Sequence, residues 1–366
     1  MTEQKIPLAD LRRQHASLRE EMDAAVARVL YRCDFIRGEA LGDFEQRFAD
    51  FVGAGFALGV GSGTDAISLA LVASGVGDGD EVVTAANTFA ATAEAIIMAG
   101  ATPVFCDVDD ETLCMDPGSL EQVLTARTRA VVPVHLHGLM APMDAIARLT
   151  SPRDITLIED AAQAHGSVDD QGRQAGTLGA AGCFSFFPSK NLGACGDGGA
   201  VTTCDEQMAR KLTMLRDHGR EQGRHLVVGQ CSRLDTLQAA ILGVKLPHLD
   251  QWNRRRRQVA ARYDEALAGL GDLRLPPSHP GAVYHHYAVR TPRRDALRAH
   301  LADQGIAAGI HYGKPVPEEP AYAALRSIPT PVADLSCQQV LSLPLFPEIT
   351  DAELDRVVAA VRGFFA

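Results

Sequence analysis

The chain has 366 residues, 46% of them hydrophobic, and a formal net charge of −11 at pH 7. Such a length and apolar share fit one large or two ordinary globular domains with ample core. The acidic balance excludes nucleic acid or an anionic membrane as a partner held by a global field, so any anionic ligand needs a local site.

Residues Met1 to Leu8 are polar and lack the apolar core of a signal peptide, and no apolar run reaches spanning length, so a cytoplasmic protein is expected. Leu11, Leu18, Met22, Val26, Val29 and Leu30 recur near helical spacing, and a second helix carries Phe44, Phe48 and Phe51 on one face. Both helices read as an N-terminal arm laid on a larger body. A short strand, Phe56 to Val60, then runs through Gly61 to Asp65 into a helical stretch, Ala66 to Ala73. Strand, glycine turn and helix start aim unpaired N–H groups and a positive dipole end at one point, and a phosphate is the natural guest. The same turn also reads as a plain N-cap through Ser62 or Thr64.

Strands over Glu81–Thr84, Pro103–Cys106, Ala130–Val134 and Ile155–Ile158 alternate with helices over Thr88–Met98, Leu120–Leu124 and Met143–Leu149. This alternation, with nearly continuous apolar strands, predicts an α/β fold: a three-layer, mostly parallel sheet with helices on both faces. Ligands on such sheets bind beyond the carboxyl ends of the strands. Gly61–Asp65, Asn87–Phe89, His135–Gly138 and Asp160 all fall there. Further on, Phe184–Phe187 reads as a largely buried strand, Ala200–Thr203 as another, followed by a helix through Leu215. A polar segment, 217–230, precedes one long helix from Leu234 to Leu267, whose Arg254–Arg257 cluster reads as a solvated face or ion-pair set. Composition shifts at Leu275–Ser278. Residues 1–270 are therefore assigned to the arm and a large domain, and 271–366 to a smaller C-terminal α+β domain with a strand at Val283–Arg290 and helices at Asp295–Gln304 and Ala352–Phe365. The eight cysteines show no C-x-x-C spacing and read as reduced core residues. His135, His137, His285 and His286 have no carboxylate partner at ligand spacing, so no metal site is expected.

Lysine is scarce: Lys5, Lys190, Lys211, Lys245 and Lys314 are the only ones. Lys190 stands directly beyond the aromatic run, in a stretch whose glycines let the backbone turn sharply. A buried amine pairs, loses its proton or reacts. One reading is a salt bridge at a strand end. The other starts from Asp160, which closes an apolar run upstream. A lysine to form an imine and an acid at a ring nitrogen are what an aldehyde cofactor with a protonated pyridine needs.

Taken in order, several stretches resemble the DegT family of pyridoxal-phosphate-dependent, fold-type I sugar aminotransferases. They are Gly61–Ala66, Asn87–Phe89 with Ala99–Val104, Pro133–Gly138, Glu159–Gly166, Phe184–Gly193, Gly196–Gly199, Ser232–Ala240, His311–Tyr312 and Leu341–Pro344. The resemblance implies pyridoxal 5′-phosphate as cofactor, with pyridoxamine 5′-phosphate as its alternate form. Lys190 would be the imine lysine and the base that moves the substrate proton. Asp160 would hold the pyridinium proton, Phe89 stack on the ring, and Gln163 lie beside it. Gly63, Thr64 and Ser185 would bind the phosphate, while Arg233, His311 and Tyr312 would touch substrate. It further implies a homodimer with active sites at the interface, an amino-acid donor, L-glutamate or L-glutamine, and a nucleotide-linked keto-deoxysugar acceptor. An aminocyclitol ketone, or a non-catalytic pyridoxal-phosphate-binding regulatory role, stays open. Three departures bear on the substrate and the interface. Cys231 stands where the family commonly has asparagine, so the cross-subunit phosphate interaction is either missing, taken over by Ser232 or bridged by water; His137 and Leu139–Met140 replace commoner Tyr and Gln-type residues. A related branch that dehydrates sugars carries histidine in place of the lysine, and Lys190 argues against it. A dehydrogenase on the same sheet type would need G-x-G-x-x-G after the first strand, which is absent.

Overall fold

The computed structural model describes residues 5–325 and 328–366. Of the polar N-terminal stretch, positions 1–4 lie outside the described residues. Strands β1 (Phe56–Val60), β2 (Glu81–Ala85), β3 (Thr102–Cys106), β4 (Thr128–Val132), β5 (Thr156–Asp160), β6 (Ala181–Ser185) and β7 (Gly199–Thr203) join in the order β1-β7-β6-β5-β4-β2-β3. Strand β7 alone is reversed, pairing antiparallel with both β1 and β6, and the remaining strands run in one direction. Every carboxyl end except that of β7 consequently meets one rim.

Neighbouring residues on a strand point to opposite faces. Val82, Val132, Ile158, Cys183 and Val201 pack with helices α3 (Gly63–Ala73), α4 (Ala91–Met98) and α7 (Glu206–Leu215). Val83, Val131 and Leu157 pack on the other side, where α5 (Pro117–Val123) and α6 (Met143–Thr150) lie. That second face continues as Phe184 and Ala200 against α1 (Leu11–Arg32), α2 (Glu39–Val52) and α8 (Thr236–Lys245). Helix α2 is thus no outlying arm. Phe44 and Phe48 are fully buried and meet Phe186 edge-on at 5.4 and 5.2 Å, each burial contributing about 2 kcal/mol.

The long helix expected over 234–267 is two. Pro247 cannot supply the N–H that would continue α8, and a 3₁₀ turn at Leu246–His248 hands over to α9 (Leu249–Leu267). The polar segment 217–230 holds a hairpin, β8 (Arg220–Glu221) and β9 (Arg224–His225). The C-terminal part pairs β10 (Tyr287–Arg290) antiparallel with β11 (Val340–Leu343), covered by α10 (Arg294–Asp303), α11 (Pro331–Gln339) and α12 (Asp351–Phe365). Its core takes in Ile6 and, from α9, Val259, Tyr263 and Leu267. The first turns of the same helix, through Leu249 and Trp252, belong to the core of the large sheet, so α9 serves both parts.

Three local expectations change. Phe187 is half exposed because β6 ends at Ser185. Arg256 is buried, not solvated, and donates to the carbonyls of Tyr284, His285 and Leu345. Four cysteines, Cys106, Cys114, Cys183 and Cys337, are core residues, while Cys33, Cys195, Cys204 and Cys231 are exposed. Among the described residues no helix is long and apolar enough to cross a membrane.

Candidate active site

Asp160 ends β5. Its N–H donates to Pro133 O at 2.9 Å, which fixes the backbone at the rim. Its Oδ1 accepts from the Ala162 N–H at 3.2 Å and its Oδ2 from the Thr92 hydroxyl at 2.8 Å. Thr92 in turn contacts Thr88 Oγ1 at 2.9 Å. Burial pushes the Asp160 carboxyl above its ordinary range, and the Thr92 hydroxyl, the Ala162 N–H and the charge of Lys190 pull it part of the way back.

Lys190 stands on the turn that follows β6. The turn is closed by Lys190 N–H to Phe187 O, and Ala194 N–H to Phe186 O, both 2.8 Å. Its neighbour Asn191 is buried and joined to α9 and to the stretch before β10: Nδ2 donates to Asn253 Oδ1 and Val283 O, each at 3.0 Å, and Oδ1 faces His285 Nδ1 at 3.2 Å. Burial lowers the Lys190 amine to about 8, against the opposing pull of Asp160. The lysine and the acid, distant in sequence, therefore sit within electrostatic reach of each other.

Gln163 links the remaining pieces. Its Oε1 accepts from the His137 N–H at 2.7 Å and its Nε2 donates to Tyr312 Oη at 3.1 Å. The Tyr312 ring lies 5.5 Å from that of Phe89, which is 56% exposed and keeps a face open to the cleft. His311, joined to Tyr312 by a cis peptide, meets Ser342 Oγ through Nδ1 at 2.9 Å and stacks on His286 at 3.8 Å.

The candidate phosphate loop is the start of α3. Ser62 accepts from the Asp65 N–H at 3.0 Å, as a cap should. The remaining first-turn N–H groups have no intrahelical partner. A Cβ on Gly63 would lie 2.7 Å from Ser185 Cβ, so glycine is what lets this helix end come against the end of β6. Both the N-cap reading and the anion reading of this turn are thus compatible.

Arg233 makes its hydrogen bonds outside this group. Its guanidinium bonds Asp217 at 2.5 Å and Cys231 Sγ at 3.0 Å. Ser232, one candidate replacement for the missing asparagine, is buried and committed within its own chain: its hydroxyl donates to Asp65 Oδ2 at 2.8 Å and accepts from the Gly61 N–H at 3.0 Å. Sequence reasoning passes over Thr92, Asn191 and His286. A Thr88–Thr92 pair one helical turn apart, on the face toward the rim, is the signal that points to the first.

These residues fit pyridoxal phosphate: an amine of lowered pKa, an acid for the ring nitrogen, an open aromatic face and a helix start for the phosphate. The fold and the rim site define a fold-type I pyridoxal-phosphate enzyme. The chain belongs to the DegT/DnrJ/EryC1/StrS aminotransferase family, whose model matches residues 16–362. It is 44% identical to a UDP-N-acetyl-3-dehydro-alpha-D-glucosamine 3-aminotransferase of Acidithiobacillus ferrooxidans, over 98% of this chain and 97% of that protein. It is 42% identical to a pleiotropic regulatory protein of Geobacillus stearothermophilus, over 98% of both chains. The crystal structure of Streptomyces venezuelae DesV in complex with a ketimine intermediate superposes with a TM-score of 0.95 at 44% identity, covering 98% of each chain.

Proposed function

We propose that this aminotransferase moves nitrogen from L-glutamate or L-glutamine to a nucleotide-linked 3-keto sugar in two half-reactions, releasing a 3-aminosugar. The observation that carries the reading is that Lys190 and Asp160 lie within electrostatic reach of each other at the rim, where burial lowers the amine and raises the carboxyl. The choice of a 3-keto sugar rests on the Acidithiobacillus relative, which is named for that position.

When bound, pyridoxal phosphate supplies the aldehyde that carries the amino group and the ring that accepts electron density. Asp160 holds the proton on the ring nitrogen. Thr92 and the Ala162 N–H orient the carboxylate for it. Lys190 Nζ, with a pKa of about 8, is neutral often enough to take the proton from the nitrogen-bearing substrate carbon and still acid enough to return it. Phe89 covers a ring face, and Gln163 and Tyr312 close the side of the site. Gly63, Thr64 and Ser185 bind the phosphate. His311 and Arg233 contact the substrate, Arg233 with its guanidinium also tied to Asp217. A homodimer completes the site. The apolar run after β9, in which Leu226 is 51%, Val227 45% and Val228 95% exposed, is the surface offered to the partner.

The pyridoxamine form of the purified protein, challenged with nucleotide-linked 3-keto and 4-keto sugars and an inosose, tests the reading. Return of the aldehyde-form absorption with 3-keto sugars alone is expected. Return only with a 4-keto sugar or with the inosose overturns the acceptor assignment, and no return with any of them favours a regulatory role like that of the Geobacillus relative.

A further inference from the structure

Three imidazoles from separate parts of the chain meet beside Gln163 and Tyr312. His137, in a left-handed conformation after β4, places Nδ1 3.4 Å from His286 Nδ1, just before β10. On its other side the His286 ring stacks on His311 at 3.8 Å with 7° between planes. His137 Nε2 is buried without a partner. All three residues are partly exposed, whereas neighbouring His285 is buried against Asn191.

A carrier with two half-reactions presents one site in turn to an acidic amino acid and to an uncharged sugar ring. A fixed cation suits the first and strands an unpaired charge against the second. Of the cations acting on His286, Lys190 is the imine lysine, and Arg256 is buried with Nη1 donating to the carbonyls of Tyr284, His285 and Leu345 and its Nε without a partner. Behind the pair lies a cavity of about 30 Å³, room for a small number of waters, lined among others by Glu111, Tyr284 and Arg290. Arg290 is held there by Asp110. The remaining facing groups are the His285 ring, 4.1 Å from that of His286, and the uncharged Gln163, Tyr312 and Ser342.

We propose that the His137–His286 pair, backed by His311, is an adaptive subsite that takes up one proton from solvent when a donor carboxylate binds and returns it when the sugar replaces the donor. The proton sits between the two Nδ1 atoms, where one of the pair must in any case donate, and His311 offers its ring face to the cation. The empty site is kept neutral by burial, aided at His137 by the His311 imidazole and at His311 by the charge of Lys190, with His137 at about 3 and His311 at about 4. A carboxylate at hydrogen-bond distance raises an imidazole's pKa by about 1–3 units, which brings the proton on near pH 5. The inference rests on the reading of an acidic amino acid as donor.

Titration calorimetry of the holoenzyme with glutarate, which has both carboxylates but no amine, tests it without turnover. In two buffers of different ionisation heat at pH 5, wild type should take up most of a proton per site, and affinity should fall as pH rises from 5 and level off above about pH 7. His286→Asn and His137→Asn, checked for retained cofactor absorption, should bind glutarate with no proton uptake. Binding of a nucleotide-linked glucose should give the same proton count in wild type and variants. No binding of glutarate, binding without uptake, or uptake that survives in both variants overturns the proposal. Failure of the donor reading itself would show separately, as no change of the aldehyde-form absorption on adding L-glutamate or L-glutamine.

Discussion

Glu159 and Asp160 are consecutive on β5 and point to opposite faces of the sheet, yet their surroundings differ in kind. Glu159 is fully satisfied. Its carboxylate accepts from His135 Nε2 at 2.9 Å and from the N–H groups of Gly176, Leu178 and Gly179 at 2.6 to 2.9 Å. Burial alone would raise its pKa, but His135 and the backbone donors overcome that, and the net shift is downward. Asp160 has two donors and a shift upward from burial. The first acid is spent on holding the loop after β5 to the sheet; the second is left short of partners at a rim where a cationic ring can complete it. Unequal satisfaction of like groups separates structure from chemistry better than burial does, since both side chains are buried.

Substitutions on the two faces should sharpen the contrast. Asp160→Asn keeps the shape and removes the charge, so kcat for the glutamate half-reaction should fall about a thousandfold, about 4 kcal/mol of barrier. Unfolding midpoints in urea should be nearly unchanged. Glu159→Gln should do the reverse. It places an amide among N–H donors and should cost about 3 kcal/mol of stability, read as a lower urea midpoint, while the cofactor absorption of the folded fraction is retained. A large loss of stability in the first variant, or of activity alone in the second, would break the comparison. A smaller effect follows from the sign of the Glu159 shift. A carboxyl whose folded pKa lies below its ordinary 4.5 contributes stability that is complete above that value and lost as pH falls through the lowered one. The gap between wild type and Glu159→Gln in urea should therefore hold from pH 7 down to about pH 5 and narrow below it.

Much of this site is legible in the order of residues alone. Lys190 stands out because lysine is scarce and an aromatic run precedes it, and Asp160 because it closes an apolar strand. The rim follows from strand direction. What the pattern leaves out depends on contacts distant in sequence. His137, His286 and His311 each look isolated, and only the packing of the β4 turn against the β10 and β11 region brings their rings together. Arg256 sits in a run of four arginines, and nothing local distinguishes the one that α9 turns toward the carbonyls of Tyr284 and Leu345. The tie between Arg233 and Asp217 is not legible either, since Asp217 lies on a segment with no periodic signal. The break at Pro247 is readable, since proline ends the run of backbone donors, but apolar periodicity on both sides hides it.

The central claim is that Lys190 carries the cofactor covalently beside Asp160. The absorption spectrum of Lys190→Ala, purified and incubated with pyridoxal phosphate, tests it most directly. The variant should bind the cofactor with the spectrum of the free aldehyde, lack the visible imine band of wild type, and show no transamination of L-glutamate. An imine band in the variant equal to that of wild type, or full transamination, would contradict the account.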